Sequence, residues 1–358
     1  MTRAFLIACL LLPSAAAAQT TFVSLESAAE PGANEGRLTI SLPDAATALS
    51  VQPRAAQAPA PAPERRRRRP SMVGYVNDAG IQSQVRLRFD AGVGVNSADR
   101  AEFFYPKCGC YRGLPVGHPA RDLDARGPGP GILTDMNFQQ FYAQAEFAIR
   151  DRISFFGELP VRWIQPQAFL PDSGSFDNQG GLSDVRAGVK LALVASDAQY
   201  VTVQLQGNFP TGDGLKGLGV EHFSFEPALL YSQAVGDRMN IEGQFGFVFA
   251  TDGSNGIATT SEKFSGNVLY YGIGPSLELY RSDTLRFAPV VELVAWRVLG
   301  GYQTSTFTEA DGVNIVNLKI GGRFEFRGRS SIYIGYGHAL TDKVWYDDLF
   351  RVEYRYTF

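Results

Sequence analysis

The sequence has no long apolar run beyond its first residues, and it is poor in histidine, sulfur and tryptophan: 3 His, 3 Cys, 4 Met and 3 Trp in 358 residues. A chain needs about 20 consecutive apolar residues to cross a bilayer as a helix, so helical membrane architectures are excluded. With so few histidines and cysteines, no cluster stands at metal-ligand spacing, and neither a metal nor a cofactor is expected. An excess of basic charge is absent too. The formal net charge is −3, which gives no footprint for nucleic acid.

Aromatics and glycine are plentiful, with 25 Phe, 15 Tyr and 38 Gly. The chain is 45% hydrophobic, yet its mean hydropathy is only −0.09. Alternation of apolar and polar residues reconciles the two figures, because side chains of a strand point to opposite faces in turn.

The last ten residues show it most plainly. Phe350, Val352, Tyr354, Tyr356 and Phe358 share one face; Arg351, Glu353, Arg355 and Thr357 share the other. In a membrane barrel the first face meets lipid and the second a lumen, with aromatics toward both ends. A terminal Phe358 behind alternating Tyr354 and Tyr356 resembles the closing strand of bacterial outer-membrane barrels, a signal to their assembly machinery.

The same alternation recurs upstream. Leu87, Phe89 and Ala91 oppose Arg86, Arg88 and Asp90, and Phe155, Leu159, Val161 and Trp163 oppose Glu158 and Arg162. Val185, Ala187 and Val189 oppose Arg186 and Lys190, and Phe225 and Leu229 oppose Glu226. Ile241 and Phe245 oppose Glu242; Leu277 and Leu279 oppose Glu278; Val291 and Leu293 oppose Glu292; Phe324 and Phe326 oppose Arg323 and Glu325. Short connections (150–152, 195–199, 236–238, 282–284, 328–330) alternate with longer ones (96–135, 165–181, 211–220, 251–265, 299–312, 341–348). The expectation is an all-β, transmembrane, antiparallel up-and-down β-barrel of about twelve strands over residues 76–358, with short turns in the periplasm and long loops outside. Trp163, Trp296 and Trp345 all fall beside long loops, as an outer aromatic girdle would place them.

Residues 1–18 read as a signal peptide. Arg3 is its positive region, Ala4 to Leu12 its apolar region, and Pro13 to Ala18 supply small residues before cleavage at Gln19. Leu6-Ile7-Ala8-Cys9 has the outline of a lipoprotein box, but the apolar run continues past Cys9. Residues 19–75 read as a disordered periplasmic segment, rich in Pro and Ala from Pro53 to Pro63 and ending in the basic run Arg65 to Arg69 before Pro70. That run is either a solvated spacer or a contact to anionic headgroups or cell wall. The location implied is the outer membrane of a Gram-negative bacterium.

The inward face carries both signs. Lumen-lining residues are Arg86, Arg88, Arg162, Arg186, Lys190, Glu226, Glu242, Glu278, Glu292, Arg323, Glu325, Arg351, Glu353 and Arg355. Such a face either passes solutes without strong ion selectivity or fills a narrow barrel with ion pairs. Cys108 and Cys110 flank Gly109 in the long first loop, as a local disulfide or as a redox-sensitive or metal-touching loop, and that loop could fold into the mouth as a gate. His222 and Ser224 share a strand face in a His-x-Ser spacing that resembles outer-membrane phospholipase A. The Asn-Gly of that family is replaced by Phe225-Glu226, and His222 points inward by phase.

Gly181-Leu182-Ser183-Asp184-Val185 with Gly188-Val189-Lys190, followed by Pro210-Thr211-Gly212-Asp213, resembles the outer-membrane family labelled "MetA-pathway of phenol degradation". Ser183 stands where that family's second glycine is found. The resemblance implies a barrel channel for small, hydrophobic or aromatic compounds and brings no catalytic residues. The function expected is a porin-like outer-membrane channel for passive or facilitated passage of small molecules. The alternatives are a non-conducting structural or binding barrel and a lipid-modifying enzyme. Expected partners are outer-membrane lipid and lipopolysaccharide, the barrel assembly machinery and small-molecule solutes.

Overall fold

A computed structural model describes residues 70–96, 127–251, 266–303 and 311–358, with the pair 308–309 and isolated positions between 112 and 123. Cys108, Cys110, Arg65 to Arg69 and the signal region lie outside the described residues. No described helix is long and apolar enough to cross a membrane.

Twelve long strands form one sheet: β1 Gln84–Val95, β2 Leu133–Arg150, β3 Ile153–Phe169, β4 Val185–Ala195, β5 Gln199–Phe209, β6 Ser224–Val235, β7 Met239–Ala250, β8 Asn267–Leu277, β9 Leu285–Leu299, β10 Asn314–Phe326, β11 Ser330–Ala339 and β12 Asp348–Thr357. Each pairs antiparallel with the next, and β12 returns to β1, with Gln84 opposite Thr357 and Val93 opposite Asp348. The sheet therefore closes and has no long free edge. Two short pieces join it, Gln179–Leu182 beside β3 and Tyr280–Arg281 beside β9. The shortest of the twelve strands, β11 and β12, have 10 residues, which is enough for a tilted strand to cross the hydrocarbon layer.

Register puts like with like. On the outside Phe89 lies between Val352 and Phe141; on the inside Asp90 lies between Arg351 and Gln140. Phe147, Phe155, Leu191, Leu229, Phe245, Ile320, Ile334 and Phe350 are all exposed around the outer wall. A water-soluble protein rarely exposes a contiguous apolar surface of this extent, so the belt is a lipid-facing one. Gly236 (φ +58°) and Gly328 (φ +65°) turn the chain within two of the short connections, a left-handed backbone that glycine adopts without strain.

The interior is packed. Residues 70–83, which precede β1 and have no regular strand structure, lie inside the barrel, with Met72, Val73, Tyr75 and Val76 buried. Composition assigns 70–75 to the periplasmic segment; the structure buries them among inward side chains. Both ends of this segment reach the short-turn end, where Pro70 and Gln82 border the same cavity, and its middle packs with Tyr333, Trp345 and Tyr346. Tyr333 lies over the backbone of its neighbours: a Cβ at Gly321 or Gly335 would come within 2.3 or 2.6 Å of its ring or hydroxyl. The glycines on β10 and β11 thus make room for this ring beneath Gly74.

Candidate functional site

Among the described residues, buried charge gathers in the lumen. Several side chains hold the inner segment by its backbone, Glu292, Arg323 and Arg351 with the most bonds. Glu292, fully buried on β9, accepts the N–H groups of Gly74 (3.1 Å), Tyr75 (2.8 Å) and Val76 (2.7 Å), and the Tyr333 hydroxyl donates to it at 3.2 Å. Arg323 donates to the carbonyls of Met72 (3.2 Å) and Val73 (2.8 Å), and Arg351 to that of Gly74 (2.6 Å). A non-strand segment in a dry interior leaves backbone groups that must be satisfied by side chains, and these charged residues do so.

The Tyr75 ring is clamped from two sides by cations, Lys319 Nζ at 3.9 Å and the Arg351 guanidinium at 4.2 Å from its centroid. Lys319 also donates to the Tyr346 hydroxyl at 2.5 Å and lies 5.6 Å from the Trp296 ring. Burial pushes the Tyr346 hydroxyl above its ordinary range.

Carboxylates are shared among guanidiniums. Glu353 meets Arg323 at 2.7 Å, Arg355 at 3.0 Å and Arg86 at 3.8 Å. The register sets Arg86 directly opposite Arg355, and Glu353 neutralises the pair. Arg351 grips Asp90 with two bonds of 2.7 Å, and Glu158 serves Arg186 at 3.2 Å and Arg88 at 3.6 Å. Lys190 pairs with Glu146 at 3.1 Å, Arg162 donates to Gln140 at 3.2 Å, and Gln206 donates to Glu226 at 2.9 Å. Near the short-turn end Arg286 bridges Glu278 (2.5 Å) and Glu325 (3.4 Å). Glu242 accepts from Asn240 at 3.0 Å and from the Met72 N–H at 3.2 Å. All fourteen residues that strand phase assigns to the inner face therefore have inward placements, and most are tied into one network around residues 70–83.

Two spaces remain. One, of about 210 Å³, lies toward the long-loop end, lined by Arg162, Arg186, His222, Glu226, Tyr270, Trp296 and others, with Asn77 and Asp78 of the inner segment at its edge. The other, of about 840 Å³, lies at the short-turn end against Pro70, Gln82, Asp197, Asp237, Arg286 and Glu325. The two linings have no residue in common, and residues 70–82 stand between them.

The Gly-x-x-Asp and Pro-Thr-Gly-Asp stretches form a clasp at the cavity's edge. Asp184 accepts the N–H groups of Gly212 (2.9 Å) and Val220 (2.8 Å). Thr211 Oγ1 receives the Val185 N–H at 2.9 Å and donates to the Ser183 carbonyl, while the Ser183 hydroxyl donates to Leu218. Asp213 caps the short 3-10 turn Gly214–Lys216. These residues hold the 210–222 connection onto the start of β4.

His222 and Ser224 both face inward, away from lipid. His222 Nδ1 sits 2.8 Å from the Val220 carbonyl, and the Ser224 hydroxyl accepts from Asn208 at 2.8 Å. Trp296 and Trp345 also face inward, against the girdle expectation: their rings meet at 5.0 Å, and only Trp163 of the three is exposed on the outer wall. Phase had the signal, since Trp296 is even-numbered like inward Glu292 and Val294 of the same strand. Tyr75 and Asp78 belong to the site and carry no periodic signal of their own; Tyr333 does, alternating with outward Ile332 and Ile334. Tyr354 and Phe358 are exposed on the outer face at the chain's end.

The sequence model of the family described as putative MetA-pathway of phenol degradation matches residues 131–344. No curated protein matches the sequence. Among solved structures, an outer membrane channel from Pseudomonas putida F1 is similar at TM-score 0.49 and 10% identity, covering 80% of this chain and 99% of that one. The beta domain of the Bordetella autotransporter BrkA gives 0.46 at 12% identity (77% and 100% covered), and the NanC porin 0.42 at 8% (76% and 100%).

Proposed function

Because the chain belongs to the family described as putative MetA-pathway of phenol degradation, we propose that it is an outer-membrane channel for small molecules, hydrophobic or aromatic ones among them, held shut at rest by its own residues 70–83. The observation that carries this reading is the pair of cavities, one at each end of the barrel, with that segment and its clamps between them. A barrel built solely to anchor or to bind has no need of a separate inner segment attached through charged side chains. In this reading the signal peptide is removed, residues 19–69 extend into the periplasm, and the apolar belt contacts lipid with lipopolysaccharide outside. Tyr354, Tyr356 and Phe358 face the assembly machinery.

Planar-bilayer recording tests it. The full mature chain should show rare or small current steps. A chain lacking residues 70–80 should show frequent, larger ones, with folding of both confirmed by the heat-dependent gel shift of intact barrels. Silence in both folded chains would sink the channel reading and favour a sealed barrel, which the buried Arg323–Glu353 pair could also serve.

A further inference from the structure

The cavity at the long-loop end has two chemically different walls. On one side stand Arg162 of β3 and Arg186 of β4; on the other stand Val268 and Tyr270 of β8 and Trp296 of β9. In a closed ring of twelve strands β3 and β9 are diametrically opposed, so a molecule in the cavity touches both walls at once. The cavity, about 210 Å³, is of the size of one small ring compound with its substituents rather than of a chain of sugars.

Arg186 gives the charged wall its character. Its one ion pair is to Glu158 at 3.2 Å, and Glu158 must also serve Arg88 at 3.6 Å. Arg88 also reaches Asp90 at 3.6 Å, so Glu158 is shared but is not the only carboxylate for the two guanidiniums. A guanidinium has five N–H donors in a planar fork, and the single bond from Arg186 Nη1 to Glu158 occupies one of them. The Arg186 side chain remains 29% exposed inside the lumen, whereas the carboxylate it pairs with is almost wholly covered. Asp184, a second acidic group nearby, is taken up by the N–H groups of Gly212 and Val220. Of the other carboxylates in the lining, Asp78 pairs with Arg355 at 3.5 Å, and Glu226 accepts from Gln206.

We infer that this cavity binds a small organic anion with an apolar body, its carboxylate on the fork of Arg186 beside Arg162 and its body against Trp296 and Val268. A carboxylate matches the fork with two parallel bonds, and the flat apolar wall accepts a ring. The assignment rests on the channel reading above, of which it specifies the solute. It makes the mixed charges of the lumen asymmetric in use: those around residues 70–83 hold the segment, and Arg186 selects.

Trp296 and Trp345 line the cavity, so tryptophan emission of the full chain in detergent reports occupancy. The probes are benzoate, benzyl alcohol and acetate. Benzoate is expected to quench saturably, with acetate and benzyl alcohol each at least about tenfold weaker, since each lacks one half of the match. R186Q should weaken benzoate by about tenfold or more and leave benzyl alcohol unchanged, R186K should lose less because it keeps the charge, and E226Q should tighten benzoate. Benzoate binding indifferent to R186Q, equal binding of benzyl alcohol, or no saturable quenching would each overturn the assignment. Bilayer current is read on the same preparations without any probe. Open steps with no benzoate site would overturn the inference alone; a benzoate site in a chain silent even without residues 70–80 would overturn the channel reading alone.

Discussion

At the scale of single residues, the lumen shows what an inward charge does when the barrel is filled rather than empty. Glu353 is the clearest case. It is fully buried and touches Arg323, Arg355 and Arg86, three cations that would otherwise face one another. Breaking a buried ion pair by removing one partner leaves uncompensated charge and costs about 3–5 kcal/mol, far more than loss of a surface pair. E353Q should therefore lower the temperature at which the barrel unfolds on a gel-shift assay far more than E325Q, whose partner Arg286 keeps Glu278 at 2.5 Å. Equal shifts for the two variants would mean that water, rather than Glu353, screens the three guanidiniums. The fourteen inward residues were legible in the sequence because strand phase alone fixes which way a side chain points. What each one touches was not, since Glu292 could as well have lined a water-filled pore; its partners are backbone N–H groups more than 200 positions away in the chain.

At the scale of elements, the strands were readable and the non-strand parts were not. Alternation over ten or more residues leaves one solution, and the short-turn, long-loop rhythm gave the strand count. Residues 70–83 have no periodicity, follow a Pro- and Arg-rich stretch, and are placed by contacts with six or more distant strands, so composition reads them as the end of a spacer. The tryptophans erred for a related reason: proximity to a loop suggested a girdle, although the phase of β9 already put Trp296 on the side of Glu292. The family-like motif around Asp184 was legible as a turn, and its role emerges only with the two N–H groups it accepts. Hydrogen bonds to a charged acceptor contribute about 1.5–3 kcal/mol each, so D184A should open the 210–222 connection locally while the barrel stays intact. Trypsin cleavage after Lys216, which is exposed, should accelerate at least about tenfold in folded D184A relative to the unaltered chain. A cleavage rate that does not change would mean that packing of Leu218, rather than Asp184, holds the clasp.

At the scale of the whole molecule, the barrel wall and its contents are two structures with different demands. The wall is continuous, closed and apolar outside, and its strand pairing runs from Gln84 to Thr357 without residues 70–82. The segment, by contrast, is held by point attachments, among them three N–H groups on Glu292, three carbonyls on Arg323 and Arg351, and one ring between Lys319 and Arg351. Attachments of this kind can be exchanged for water one at a time as the segment moves, whereas the strands cannot part without exposing backbone groups to lipid. Opening by movement of the segment thus requires no change in the wall. A reversible tether separates this from a rigid filling with permanent side passages. A Cβ at Gly274 would lie 2.8 Å from a γ carbon of Val73, which suits a disulfide between cysteines at the two positions. In V73C/G274C, oxidation should abolish whatever current the full chain carries, and reductant should restore it, while each single variant ignores both treatments. Current that persists through the oxidised tether would show that solutes pass beside a fixed segment, and the gating role would then fall even if the channel role stood.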